Sequence, residues 1–228
     1  LLSCFPASAE PGKAFTSVTY SNLYFREPES RADQTRMMSI VTTGAETGYY
    51  VDVFRSRKEK GGDKMHDYFY HNLGQTLTLT AADGSDLNLQ PTEELSFAGA
   101  HLYSYSYLYD KKVAATDKDV KATFTIDMKD KAGDDIYMNL WMKGAPDREV
   151  FTALAPMTEG LSRTPNMPYN IKERPTLTFV ARQHGEAWNR PFVSIYEPST
   201  KKDPSAIQSV SSFDAEGAGL EDFAGICV

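Results

Sequence analysis

Between Lys121 and Met128 apolar and polar residues alternate without a break. Ala122, Phe124, Ile126 and Met128 fall on one side, and Lys121, Thr123, Thr125 and Asp127 on the other. A chain can turn such a period-two stripe toward a core only as a strand, because a helix scatters it around the axis. Ile136, Met138, Leu140 and Met142 repeat the stripe after Lys131-Ala132-Gly133-Asp134, which predicts a hairpin. The same reading predicts strands over 15–25, 36–42, 49–57, 66–72, 76–80, 101–109, 150–156, 176–182, 191–196 and 207–213. Turn chemistry separates them at Gly61-Gly62-Asp63, Asp83-Gly84, Gly144-Ala145-Pro146 and Thr164-Pro165-Asn166. No capped apolar stripe of helical period accompanies them. The expectation is an all-β fold, a large antiparallel β-sandwich of supersandwich type with more than ten strands and very little helix. With no repeat, low-complexity tract or linker, residues 1–228 read as one domain, and both ends read as cuts from a longer protein.

Charge narrows the partners. Twenty-four Lys and Arg against 31 Asp and Glu leave a net charge of −7, which argues against duplex nucleic acid as a partner. No apolar run approaches the roughly 18 residues of a membrane-spanning helix. Cys4 and Cys227 are too few for a disulfide framework or a zinc-thiolate site, and a bridge between them requires the ends to meet. Leu1-Leu2-Ser3-Cys4 resembles the end of a lipoprotein signal, but without the preceding charged and apolar segments it reads as a strand entering the fold.

The four histidines are His66, His71, His101 and His184. His66 and His71, five apart, point to opposite faces of a regular strand, and neither H-x-H nor H-E-x-x-H occurs, so no zinc site is expected within this chain. His66, Tyr68 and Tyr70 share a strand face, an arrangement able to move a proton, although buried strand residues with satisfied polar tips are the preferred reading. No nucleophile elbow or phosphate loop is present. Tyr103, Tyr105, Tyr107 and Tyr109 alternate with Leu102, Ser104, Ser106 and Leu108, which fits either a ladder that stacks on sugar rings or a wall against a second sheet. Tyr137, Asn139, Trp141 and Lys143 share the face opposite the Ile136 stripe, and suit a carbohydrate surface or a neighbouring domain equally. Two loops concentrate Arg, Asn, Tyr and Trp, so the candidate carbohydrate-binding residues are Arg163, Asn166, Tyr169, His184, Trp188 and Arg190, with Trp141 from the strand. Arg163, Arg174, Arg182 and Arg190 fit either a local basic cleft despite the acidic total or separate solvent-exposed cations.

Tyr50-Val51-Asp52-Val53-Phe54-Arg55, a Gly-rich turn and His66-Asp67-Tyr68-Phe69-Tyr70-His71 together resemble a strand pair in the C-terminal sandwich of heparinase II/III-like polysaccharide lyases. Thr178-Phe179-Val180-Ala181-Arg182 and the strand from Arg190 to Pro198 look like later strands of the same domain. The resemblance implies a periplasmic or secreted bacterial enzyme that cleaves acidic, uronate-containing polysaccharides by β-elimination. It also implies an N-terminal helical toroid that carries most of the catalytic residues, and in some members a zinc ion with ligands upstream. Neither the toroid nor those ligand motifs are in this sequence. The expectation is therefore an accessory sandwich, inactive alone, with an acidic polysaccharide and the helical domain as partners and no cofactor of its own. The alternative is a non-catalytic carbohydrate-binding or structural module.

Overall fold

A computed structural model describes residues 3–5, 17–58, 60, 62–96, 100–128, 134–158, 174–213 and 223–228. Eight strands form the larger antiparallel sheet: β1 (Ser3–Phe5), β2 (Val18–Arg26), β3 (Asp33–Thr42), β4 (Gly48–Arg57), β6 (Thr76–Ala81), β9 (Val120–Ile126), β10 (Ile136–Met142) and β13 (Ala187–Thr200). They lie in the order β1-β2-β3-β4-β13-β10-β9-β6. A second sheet, ordered β5-β12-β11-β8-β7, contains β5 (Met65–Asn72), β7 (Gln90–Pro91), β8 (Tyr109–Ala115), β11 (Arg148–Ala155) and β12 (Thr176–His184). β14 (Ser211–Phe213) and β15 (Gly225–Cys227) make a small ribbon. The all-β sandwich is thus the observed fold.

The alternation in β9 does what its spacing dictates. Val120, Ala122 and Phe124 are buried toward the second sheet, and β9 pairs with β10 in the register Ile126↔Ile136 to Val120↔Met142. They meet Leu140, Met142, Val150, Phe179, Ala181 and Phe192 in the core between the sheets. β12 breaks the alternation because it is covered on both faces. Phe179 and Ala181 face the main core, whereas Val180 joins Leu95, Leu108, Phe151 and Ala153 in an outer cluster. A third layer therefore lies over the smaller sheet.

Part of that layer departs from expectation. The segment predicted as a strand over 101–109 is instead a 3-10 helix, Ala100–Tyr107, followed directly by β8. Ser106 donates to the Tyr103 carbonyl and the Leu108 amide to that of Tyr105, local bonds that compete with strand pairing. The four tyrosines consequently do not form a ladder.

The larger sheet is wider than the smaller. Beyond edge strand β5, its inner face carries Leu23 and Phe25 of β2, Met38 and Ile40 of β3 and Tyr50 of β4, all exposed. At the outer face, the Glu197 carboxylate accepts bonds from the Ser205 hydroxyl and the Ala206 and Ile207 amides. Cys4 and Cys227 are both free, exposed thiols.

Candidate functional site

A cleft of about 770 Å³ among the described residues opens where β4 leaves the larger sheet and β5 begins the smaller one. Gln34, Phe54 and Ser56 line it from the larger sheet, His66 and Asp67 from β5, and Arg182 and Tyr105 from β12 and the 3-10 helix. His66 Nε2 sits 2.5 Å from Asp63 Oδ1, and the same carboxylate oxygen takes the Lys58 amide at 2.6 Å. That contact fixes the β4–β5 crossover and holds the imidazole at the cleft wall.

Two ionic clusters flank this cleft, one half-exposed at Arg36 and the other buried. In the first, Arg36 Nε donates to Asp52 Oδ1 at 3.0 Å, and the Tyr68 hydroxyl donates to Asp52 Oδ2 at 2.6 Å. Tyr68 and Tyr196 share a hydrogen bond between their hydroxyls, while the Arg36 guanidinium lies over the Tyr68 ring at 5.7 Å. In the second, Arg182 grips Asp67 with Nε and Nη2 at 2.7 and 2.8 Å and reaches Glu94 at 3.3 Å. Tyr105 donates to the same Asp67 carboxylate at 2.7 Å. Around the whole cleft, five carboxylates (Glu27, Glu29, Asp63, Asp67 and Glu94) face three cations (Lys58, Lys64 and Arg182). It is an acidic cleft with its buried arginine already neutralised.

The tyrosines are held as acids. Burial, then the Asp52 carboxylate, drives Tyr68 well above the ordinary phenol value, and burial with Asp67 does the same to Tyr105. Tyr196 rises through burial and its Tyr68 neighbour, and burial pushes Tyr70 up to about 12. Each such phenol stabilises the fold fully below the unfolded value of about 10, and that contribution fades as pH rises above it. Phenolate absorbance is therefore expected to show these tyrosines protonated past pH ~10, with their ionisation coinciding with unfolding in far-ultraviolet dichroism. Smooth ionisation of every tyrosine near pH ~10 in the folded protein would contradict the buried network.

The loop candidates lie at the same end of β12, just beyond Arg182. Gly185 makes the β12–β13 turn with φ +76°, a left-handed conformation that favours glycine, and its amide donates to Lys64 O at 3.0 Å. Ala187 pairs with Ser56 whereas Phe192 pairs with Phe54, so five steps along β13 match two along β4. Trp188, Asn189 and Arg190 lie in that bulge, which re-aims their side chains. Glu186 caps it by accepting the Trp188 and Asn189 amides at 2.5 and 2.9 Å. The Trp188 ring lies 4.2 Å from the Arg57 guanidinium. Arg190 donates to the carbonyls of Pro146 and His184, and the His184 ring meets Glu149 at 2.8 Å. Arg190 is thus bonded to the His184 backbone while the Trp188 ring packs on Arg57, and Trp141 is elsewhere and only 4% exposed. Arg163, Asn166 and Tyr169 lie outside the described residues.

Arg182 and Arg190 do not share a basic cleft, since one is bound to carboxylates and the other to carbonyls. A buried cation missed by sequence reasoning is Arg148, whose guanidinium donates to Gln183 and to the Lys143, Arg190 and Pro191 carbonyls. Burial brings it down to about 10. Among the described residues, no three His, Cys, Asp or Glu converge as a zinc ion would require; His66 bonds Asp63 and His71 bonds Thr178.

No family model matches the chain. Over 196 residues, 84% of its length, the chain is 33% identical to an endo-acting ulvan lyase of Formosa agariphila. The chain is related to a polysaccharide lyase. It spans 22% of that enzyme's length.

Proposed function

We propose that the chain is the β-sandwich portion of a longer, bacterial, heparinase II/III-like lyase that cleaves a uronate-containing polysaccharide, and that this portion is not catalytic by itself. β-Elimination needs a cation to neutralise the uronate carboxylate, a base for the C5 proton and an acid for the leaving oxygen. The observation that carries the reading is that the arginine in the cleft, the one beside it, and their neighbouring tyrosines are already spent on carboxylates. Arg36 and Arg182 are bound to Asp52 and Asp67, and Tyr68 and Tyr105 keep their protons for the same carboxylates. The landmark residues Asp52, Asp67 and Tyr68 thus act as scaffold, tying the two sheets and the outer layer together. Ulvan, named for the relative, is the first substrate to try. A polymer of this kind is met outside the cytoplasm, which carries a periplasmic or secreted location with it.

The relative's greater length supports a companion role for the uncovered strip of Leu23, Phe25, Met38, Ile40 and Tyr50. On this reading it is the face against which the helical part of the longer enzyme rests.

The test is the ultraviolet absorbance of the unsaturated uronate product, with ulvan, heparin, heparan sulfate, alginate and chondroitin offered to this chain and to the longer enzyme. Activity is expected in the longer enzyme alone. Turnover by the 228-residue chain, abolished by His66→Gln, would overturn the accessory role and make His66 the base.

A further inference from the structure

A second cavity lies on the outer face of the smaller sheet, beside the acidic cleft and sharing Tyr105 with it. It has a volume of about 440 Å³, within the range of small-molecule sites, and lies between β5, the 3-10 helix and the end of β11. Phe69 and His71 of β5 line it on one side, and Ser104, Tyr105 and Tyr107 on the other, with Ala155 and Pro156 at one end. Phe69 and Tyr105 meet edge to face at 5.3 Å between ring centres, and Phe69 stacks on His71 at 5.8 Å. The wall is therefore aromatic and fixed from behind, since Tyr105 is anchored to Asp67 and His71 Nδ1 to Thr178 at 2.8 Å. Tyr107, by contrast, is 57% exposed and leaves a ring free at the rim.

The lining carries no carboxylate, Lys or Arg. Burial lowers the His71 pKa, so its imidazole is neutral at neutral pH. A cavity with aromatic faces, a hydroxyl or two and no charge suits a ring that is apolar on its faces and polar at its edges. This is the chemistry of an uncharged sugar residue, and an ionised uronate would lose its hydration here without a cation to replace it.

We propose that this cavity is an accessory glycan subsite that takes an uncharged sugar residue of the polysaccharide, next to the acidic cleft but without its charges. The choice of a sugar as occupant rests on the lyase reading above. The subsite is built by the very tyrosines that alternation placed on a strand. Folding them into a 3-10 helix packs the partly buried Tyr105 as a wall and leaves Tyr107 at the mouth.

The experiment is calorimetric titration of this chain with size-fractionated ulvan oligosaccharides, comparing wild type with Tyr107→Ala and Tyr103→Ala. Tyr103 is 60% exposed on the same helix but does not line the cavity. Tyr107→Ala is expected to weaken binding roughly tenfold, the worth of one stacked ring, and Tyr103→Ala to leave it unchanged. Thermal midpoints should stay together, since neither ring is buried. Equal weakening by both variants, no effect of Tyr107→Ala, or no binding by the wild type would each overturn the subsite. The lyase reading fails separately, through lack of product absorbance in the longer enzyme. Binding by this chain with that enzyme silent would keep the subsite and remove the lyase.

Discussion

Asp67→Ala is expected to destabilise the protein by about 3–5 kcal/mol, the usual result of leaving one partner of a buried ion pair alone. Three hydrogen bonds from two residues depend on this carboxylate. Arg182 donates to it twice, with both side chains less than a tenth exposed, and the Tyr105 hydroxyl completes its shell. Without Asp67, the guanidinium keeps only the half-exposed Glu94 at 3.3 Å and the Phe151 ring at 5.5 Å. Tyr105 would also lose the bond that holds the 3-10 helix against β5. Urea unfolding should show the midpoint falling with the slope unchanged. The double change Asp67→Leu with Arg182→Met should recover most of the loss, because it removes both charges rather than stranding one. A cost under about 1 kcal/mol for Asp67→Ala would mean that the pair behaves as a solvated surface bridge.

Arg182 also shows where sequence reading stops. Within Thr178-Phe179-Val180-Ala181-Arg182 it reads as a cation at a strand end, available to a basic cleft. Its carboxylate partner lies 115 residues away on another strand, and nothing local in either segment announces the pair. The Asp52–Tyr68–Tyr196 chain is equally silent, with its two phenols 128 residues apart. Asp52 and Tyr68 were visible as parts of a family landmark, but not as each other's partners across two sheets.

What alternation could reveal, it revealed. β9 and β10 bury the residues their spacing assigns, and the broken alternation of β12 follows from a second covered face rather than from the backbone. It misled at Leu102 to Tyr109, where a tyrosine at every second position mimics a strand. The competing signal was present in Ser104 and Ser106, short hydroxyls that bond the local backbone and favour a tight helical turn. The crowded bulge at Trp188 to Arg190 was foreshadowed by Pro191, which cannot donate to a ladder. Its effect on register could be known only once β4 was found as the neighbour.

The face of β10 opposite Ile136 left two readings open from sequence, a sugar platform or a covered surface. The covering turns out to be this chain's own C-terminal part. Val210, Ser211, Ser212 and Ile226 close around Trp141 together with Asp119, Met142 and Lys143, and Lys121 Nζ lies 4.7 Å from the ring. Trp141→Ala should therefore act as a core deletion and cost about 3–5 kcal/mol, with Trp141→Phe recovering part of it because the ribbon keeps an aromatic to rest on. Oligosaccharide affinity, measured below the lowered melting temperature, should not change, since a 4% exposed ring has no face to offer a sugar. A loss of affinity with stability held within about 0.5 kcal/mol would reverse this, because only a ribbon that readily leaves β10 could combine those outcomes. Trp141 would then be a stacking platform under a movable cover, and the glycan surface would extend to the opposite side of the sandwich from the Phe69 and Tyr107 cavity.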